Sequence, residues 1–473
     1  MIKKCLLIIV SILLLCSCEN KKDKLILSTE AGFAPYEYYS NGEIVGVDID
    51  IARKIADELN IELVIKDVAF DSIISEVKTG KSDIGAAGIS FTEERQKEVD
   101  FTINYTDAKQ VIIVKKNSDI YDINSLIGKK IAVQLGSIAD DHLSSNFENI
   151  ELVREKKFLA AIQDLKDNKV NAVVMDEVPA RKLINDDMII LDEPLLVDNY
   201  GMIVQKGNTK LLNAANKVIT ELKANGEIDN YLLNHLSVTD NNMQNKGLIT
   251  RFYNSVIFDG RYKFILEGIK NTLLIALGAV LIGIVLGTFS ALSNNVYINT
   301  GKFKILSLIS KAYVTIIRGT PSTLQLMIIY YVIFKQTNIN IVLVGIIAFG
   351  INSGAYVAEI IRAGLNSIDK GQWEAGYSLG LSYSQVVSKI IMPQSIKNIL
   401  PALGNEFITL VKETSIGAYI GIVELTKASD IIASRTYDYF FPLILIAVIY
   451  LIITLILSKL ITKLEKRLNN VKN

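Results

Sequence analysis

The sequence predicts a two-lobed α/β domain followed by an all-α membrane domain of about five spans. Three observations carry this. Residues 25–237 alternate short β-rich runs with helical patterns, as α/β architecture requires. Two similar apolar strands, Gln110-Val-Ile-Ile-Val-Lys115 and Tyr200-Gly-Met-Ile-Val-Gln205, suit crossings between two lobes. From Asn271 to Gly301 no residue is charged, a stretch longer than the ~20 residues that cross a bilayer.

The elements follow in chain order. Lys3 and Lys4 precede the apolar run Leu6–Leu15 and then Leu15-Cys16-Ser17-Cys18. Residues 1–18 therefore read as an export signal. The tetrapeptide resembles a lipobox, which makes Cys18 the lipidation candidate; an uncleaved anchor or an ordinary signal peptide also fits. Each version puts the next segment outside the cytoplasm. Leu25–Ser28, Leu63–Ile65, Ile84–Ala87 and Ile131–Gln134 are expected strands, and Asp50–Leu59 and Phe70–Thr79 amphipathic helices. The soluble domain is expected over 24–237, with lobe 1 at about 24–112 and 205–237 and lobe 2 at about 113–204. Polar residues 238–247 read as a linker, and 248–473 as the membrane domain.

Gln336–Ala358 and Tyr439–Ser458 are two further uncharged candidate spans. Leu306–Phe334 carries Lys311 and Arg318, and Asn398–Val423 carries Glu406, Lys412 and Glu413, so these two spans are interrupted. With the N-terminal domain outside, five spans leave the C-terminus inside. Its Lys459, Lys463, Lys466 and Arg467 then obey the positive-inside rule, as do Lys302, Lys304, Lys370 and Lys389 in the loops.

Composition excludes several classes. Lys+Arg and Asp+Glu are both 50, a balance that argues against nucleic-acid binding. All three cysteines lie in the first 18 residues, so the rest of the chain forms no disulfide. With only His142 and His235, no His/Cys zinc cluster is expected, and no cofactor. No Gly-x-x-x-x-Gly-Lys-Ser/Thr sequence occurs, so ATP must be handled by another chain.

The most informative segment is Gly88-Ile-Ser-Phe-Thr-Glu-Glu-Arg95. Thr92 reads as a helix N-cap, which sets Arg95 at the third helical position. Glu93 and Glu94 suit the helix dipole there; an arginine does not. Its guanidinium would lean back over free backbone N–H groups and complete a donor fork for a small carboxylate. An ordinary surface arginine paired with Glu94 or Glu98 fits the same spacing.

Residues 25–237 resemble the extracellular amino-acid-binding proteins of ABC importers, notably the glutamine binders. The blocks that carry this are Phe33-Ala-Pro-Tyr-Glu with Gly46-Val-Asp-Ile-Asp, then Ala69-Phe-Asp-Ser-Ile-Ile through Arg95 to Val99-Asp-Phe-Thr, and Val170-Asn-Ala-Val-Val-Met-Asp176. The membrane part resembles the polar amino-acid permeases of the same importers. Its blocks are Arg318-Gly-Thr-Pro, Ser353-Gly-Ala-Tyr-Val-Ala-Glu through Gly364, Gly371-Gln-Trp-Glu-Ala-Gly through Leu381, and Pro393 through Thr409.

The resemblance implies a type II binding-protein clamshell joined to a permease, and hence an ABC-type importer subunit in the cell membrane. In that reading Arg95, with backbone N–H groups near Gly88 and Ser90, takes the carboxylate of a free polar amino acid. Asp176 takes its ammonium, and Glu30 is a second acid or a solvated loop residue. Phe33 and Phe70 cover the aliphatic part or belong to the core; Gln134 and Ser137 come from the second lobe. Two acids against one arginine favour a neutral or basic polar ligand over glutamate or aspartate. Glu374, Ala375, Gly376 and Gly380 match the motif that docks on the ATPase, with Gly376 where an alanine is usual. Arg318 and Glu413 are candidates for the translocation path or sit at the membrane interface. Implied partners are two ATPase copies, a second copy of this chain and membrane lipid. A ligand-gated channel or receptor is the alternative, but the binding domain here is complete before the first span. An enzyme is the third reading, and no histidine lies in the three matching blocks.

Overall fold

The computed structural model describes residues 24–40, 43–237, 247–335, 339–436 and 438–470. The export segment with Cys18 and most of the linker lie outside the described residues.

Two sheets build the soluble domain. In the first the strand order is Glu62–Asp67, Lys24–Thr29, Ile84–Gly85, Ile203–Gln205, Val99–Phe101. Lys24–Thr29 runs parallel to both its neighbours. Ile203–Gln205 is antiparallel to both of its own. The second sheet runs Met188–Ile190, Thr106–Lys115, Ala172–Asp176, Lys130–Gln134, Glu151–Glu155, and Leu196–Tyr200 pairs with the near half of Thr106–Lys115. Ala172–Asp176 is central and buried along its whole length, which is why its sequence is an unbroken apolar run before the aspartate.

Thr106–Lys115 lies wholly in the second sheet, so the chain crosses before it, at about 102–105. It returns between Tyr200 and Ile203, where one sheet's strand ends and the other's begins. The strand expected over 84–87 is only Ile84–Gly85: the Ala86 N–H still donates to the Ser28 carbonyl, and the chain bends at Ala87 and Gly88, where φ reaches 53°. The segment 70–79 opens as a 3-10 turn, Phe70–Ser72, and becomes α-helical only at Ile73–Lys78. Helix Val47–Leu59 ends at Asn60, whose φ of 54° is the left-handed cap that asparagine tolerates.

The second half is helical. Tyr262–Thr300, Ile341–Asn366 and Phe440–Arg467 are long and apolar enough to cross a membrane. The first two pack closely, and a Cβ on Gly287 would come within 2.6 Å of the Val357 side chain. Residues 306–334 form two pieces, Lys304–Gly319 and Ser322–Ile328, the latter continued by a π-turn at Ile329–Ile333. Pro321 sits at the break, where a residue without N–H ends helical hydrogen bonding. Met392–Glu413 is a single helix followed by a 3-10 stretch, Thr414–Ile420.

The soluble domain rests on the helical one. Lys427, on helix Leu425–Thr436, places its Nζ 2.9 Å from Asp67 Oδ2, with the two side chains 4% and 5% exposed. Lys156 stands over the Tyr419 ring, 3.2 Å from its centroid. The Tyr330 hydroxyl donates to Glu76, and Lys81 donates to the Phe334 carbonyl. Asp67 and Lys156 come from different lobes, so residues 419–427 touch both lobes.

Candidate functional site

Between the lobes lies a small cavity of about 20 Å³. Its first-lobe wall includes Glu30, Phe33, Phe70, Gly88 and Ser90, and its second-lobe wall Gln134, Ser137 and Phe158. Glu30 follows the end of strand Lys24–Thr29, and Gln134 ends strand Lys130–Gln134. Both therefore stand at the carboxyl ends of parallel strands, where open α/β sheets place their ligands.

Gly88 has φ 53° and its N–H donates to Asp48 Oδ2 at 3.0 Å. A Cβ there would lie 2.8 Å from the Phe33 ring and 3.0 Å from Tyr200. Only glycine lets the loop carry Ser90 past these rings. The Ser90 hydroxyl donates to Asp198. Phe33 stacks on Phe158 across the cleft with centroids 5.3 Å apart. Phe158 was not a sequence candidate, and an aromatic at the start of a helix gave no local signal.

Thr92 caps helix Glu93–Glu98, its hydroxyl accepting from the Arg95 N–H at 3.1 Å. The Arg95 guanidinium is buried. It donates from Nη1 to the Ser90 carbonyl and from Nη2 to the Gly136 carbonyl, each at 2.8 Å. It thus aims at carbonyl oxygens of both lobes rather than over N–H groups, because a buried cation takes the acceptors within reach. Its nearest carboxylate is Asp141 at 3.6 Å, not Glu94 or Glu98. Burial pulls its pKa down, while Asp141 and Asp198 act the other way.

Asp176 ends its strand and caps helix Glu177–Leu183, accepting from the Val178 N–H at 2.9 Å. Its other oxygen accepts from the Tyr200 hydroxyl at 2.8 Å, and it is Tyr200 that lines the cavity. Burial lifts its pKa to about 7, against stabilisation of the charged form by Tyr200 and Val178. Ser137 caps helix Ile138–Asn146, and the Gln134 amide donates to the Lys156 carbonyl at 3.0 Å.

Three groups, two of them buried, escaped the sequence reading. Lys157 pairs with Glu30 across the cleft at 2.9 Å. Glu37 also lines the cavity. Its carboxyl is pushed well up by burial and by neighbouring Asp48. Asp67 accepts from the Ala31 N–H at 3.2 Å and from the Tyr39 hydroxyl at 3.0 Å. Burial pushes its carboxyl up, but Lys427 and Lys157 outweigh that and hold it below its usual value.

In the helical half, Glu374, Ala375 and Gly376 lie on helix Lys370–Ser378, capped by Asp369, and Gly380 follows it with φ 74°. Glu374 and Ala375 are exposed, while Gly376 is buried. A Cβ on Gly376 would lie 2.9 Å from Val386, so glycine where alanine is usual draws the two helices together. Arg318 lies 3.8 Å from Glu359 and is 46% exposed; Glu413 is half-buried at the end of helix Met392–Glu413.

Residues 25–237 match the bacterial extracellular solute-binding proteins, family 3, and residues 265–470 match the binding-protein-dependent transport system inner membrane component. A putative glutamine transport system permease protein of Rickettsia bellii (strain RML369-C) is 40% identical over 213 residues, which are 45% of this chain and 95% of that one. The chain belongs to the amino-acid ABC importers. It carries the binding protein and the permease in one polypeptide.

The arginine transport system permease protein ArtQ of Bacillus subtilis (strain 168) is 39% identical over 209 residues, 44% of this chain and 93% of the relative. On the soluble side, the substrate-binding protein AbpA of Streptococcus pneumoniae, solved with L-arginine, is 34% identical. The match covers 46% of this chain and 97% of that one, with a TM-score of 0.45. The importer is a membrane transporter in which a solute-binding domain sits against the helices of its own permease.

Proposed function

We propose that this importer captures a free polar amino acid outside the cell, in the cleft beside Arg95, and passes it through its own permease domain. The observation that carries this is the cavity itself. It is walled by both lobes and roofed by the stacked Phe33 and Phe158, and a buried guanidinium bridges the lobes beside it. In this reading Arg95 receives the ligand carboxylate through N–H groups beyond those held by Ser90 and Gly136. Asp176 and Tyr200 receive the ammonium. Gln134 and Ser137 supply second-lobe polar contacts, and Phe33 and Phe70 cover the aliphatic part, excluding water and strengthening the ion pairs.

The domains divide as 24–237 for binding, 238–247 as linker and 248–473 as permease. Residues 1–18 export the chain, with Cys18 its lipid anchor, and the C-terminus lies in the cytoplasm. Glu374 and its neighbours present a short exposed helix to an ATPase. Two permease domains in a homodimer, with two ATPase copies, complete the pathway, and Arg318 and Glu413 border it. The tether keeps the binder near its own permease at an effective concentration of order millimolar.

The test is uptake of labelled amino acid into proteoliposomes holding the full chain and its ATPase. Accumulation that requires ATP supports an importer. An ATP-independent ion current, with no accumulation, supports the channel reading instead.

A further inference from the structure

We infer that Lys157 fixes the charge class of the ligand: by pairing with Glu30 inside the cleft it selects a neutral side-chain amide, the glutamine and asparagine class, over a cationic side chain. This deepens the proposed function and rests on it.

Glu30 is a wall of the cavity. Lys157 immediately precedes Phe158, which forms the opposite wall and stacks on Phe33. The ion pair therefore joins the two lobes at the Glu30 wall of the cavity, with Lys157 itself set behind that wall. Its atoms lie 2.9 Å apart, and the Lys157 and Glu30 side chains are 14% and 5% exposed. Burial lifts the Glu30 carboxyl and Lys157 partly offsets this. For Lys157 burial works against charge, but Glu30, Asp430 and Asp67 around it prevail and raise its pKa. Asp67 in turn is engaged by Lys427 of the permease helix. Lys157 is thus surrounded by acids that keep it charged and keep it in place.

An ion pair offers one acceptor and one donor side by side. A primary amide offers the complement, N–H groups for Glu30 and a carbonyl for Lys157. A guanidinium or ammonium has donors only and would meet Lys157 as a like charge in a water-poor site. A side-chain carboxylate has acceptors only and would meet Glu30 in the same way. Two acids on the cavity wall, counted alone, suggest a basic ligand. With Lys157 included, the Glu30 end of the cleft carries no net charge.

The test is titration calorimetry on the full chain in detergent, with glutamine, arginine and glutamate as probes. Wild type is expected to bind glutamine at least tenfold more tightly than arginine or glutamate. Lys157→Met leaves Glu30 without its counter-ion, and the arginine-to-glutamine affinity ratio should rise tenfold or more. Lys157→Arg should keep the wild-type ranking, and Glu30→Gln combined with Lys157→Met should lose the gain for arginine. A wild type that prefers arginine to glutamine overturns the inference, as does an unchanged ratio in Lys157→Met. Should Lys157→Met not fold, the wild-type ranking still decides. A wild type that binds no amino acid at all would strike the proposed function itself, a distinct result.

Discussion

Lys427→Ala isolates the contact between the binding domain and its permease. Lys427 and Asp67 are almost fully buried and 2.9 Å apart. Removing one partner of such a pair costs roughly 3–5 kcal/mol when the other stays buried. Here Asp67 keeps the Ala31 N–H and the Tyr39 hydroxyl, and it regains water whenever the domains separate. The cost to docking is then on the order of 2–3 kcal/mol, which corresponds to a docked population lower by about two orders of magnitude. The tether offsets part of this through its local concentration. The expected outcome is an initial rate of ATP-driven uptake at saturating amino acid at least about tenfold below wild type. Calorimetric affinity of the same protein should fall much less than the uptake rate, since Lys427 reaches the cleft only through Asp67 and Lys157. Exchanging the charges, Asp67→Lys with Lys427→Asp, should recover part of the rate. Wild-type uptake by Lys427→Ala would refute the reasoning.

Three further predictions concern the cleft and the coupling helix. Arg95→Ala removes the bridge from Ser90 to Gly136 and the anion site together, and calorimetry should show amino-acid affinity lower by about 100-fold or more. Asp176 binds its proton more tightly folded than unfolded, since burial raises it from 3.8 to about 7. Its contribution to stability is therefore complete below pH ~4 and is lost as pH rises to about 7, on the order of a few kcal/mol at most. Ligand-free wild type should lose more thermal stability between pH 5 and 7.5 than Asp176→Asn, and parallel curves would count against this. Glu374→Lys reverses a charge on the exposed helix, and uptake should fall more than tenfold with ligand affinity unchanged.

Much of the site was legible because its signals are local. Thr92 and Arg95 stand three residues apart, so a cap rule alone places the guanidinium's helix. Asp176 follows an apolar run and Gly88 a short strand, and both positions mark the sheet edge. The interruption expected in 306–334 rested on Lys311 and Arg318, which lie inside one continuous helix; the break at Pro321 was not foreseen.

What was not legible is non-local. Lys157 and Glu30 are far apart in the chain, and an amphipathic pattern cannot tell a lysine at a cleft from one in solvent. The same holds for Asp67 and Lys427, which meet only where the soluble and helical halves of the chain come together. The aim of the Arg95 side chain also escaped, because its acceptor on Gly136 belongs to the other lobe. The lobe boundary shifted for a simpler reason. Strand Thr106–Lys115 extends beyond its apolar half, and the polar residues at its start still pair with Leu196–Tyr200.

The most direct measurement is a structure of the full chain with bound amino acid. The ligand is expected against the stacked Phe33 and Phe158, its carboxylate on Arg95, its ammonium toward Asp176 and Tyr200, and its side chain toward Glu30. A ligand bound elsewhere, with the cleft unoccupied and Arg95 still held by Ser90 and Gly136 alone, would contradict it.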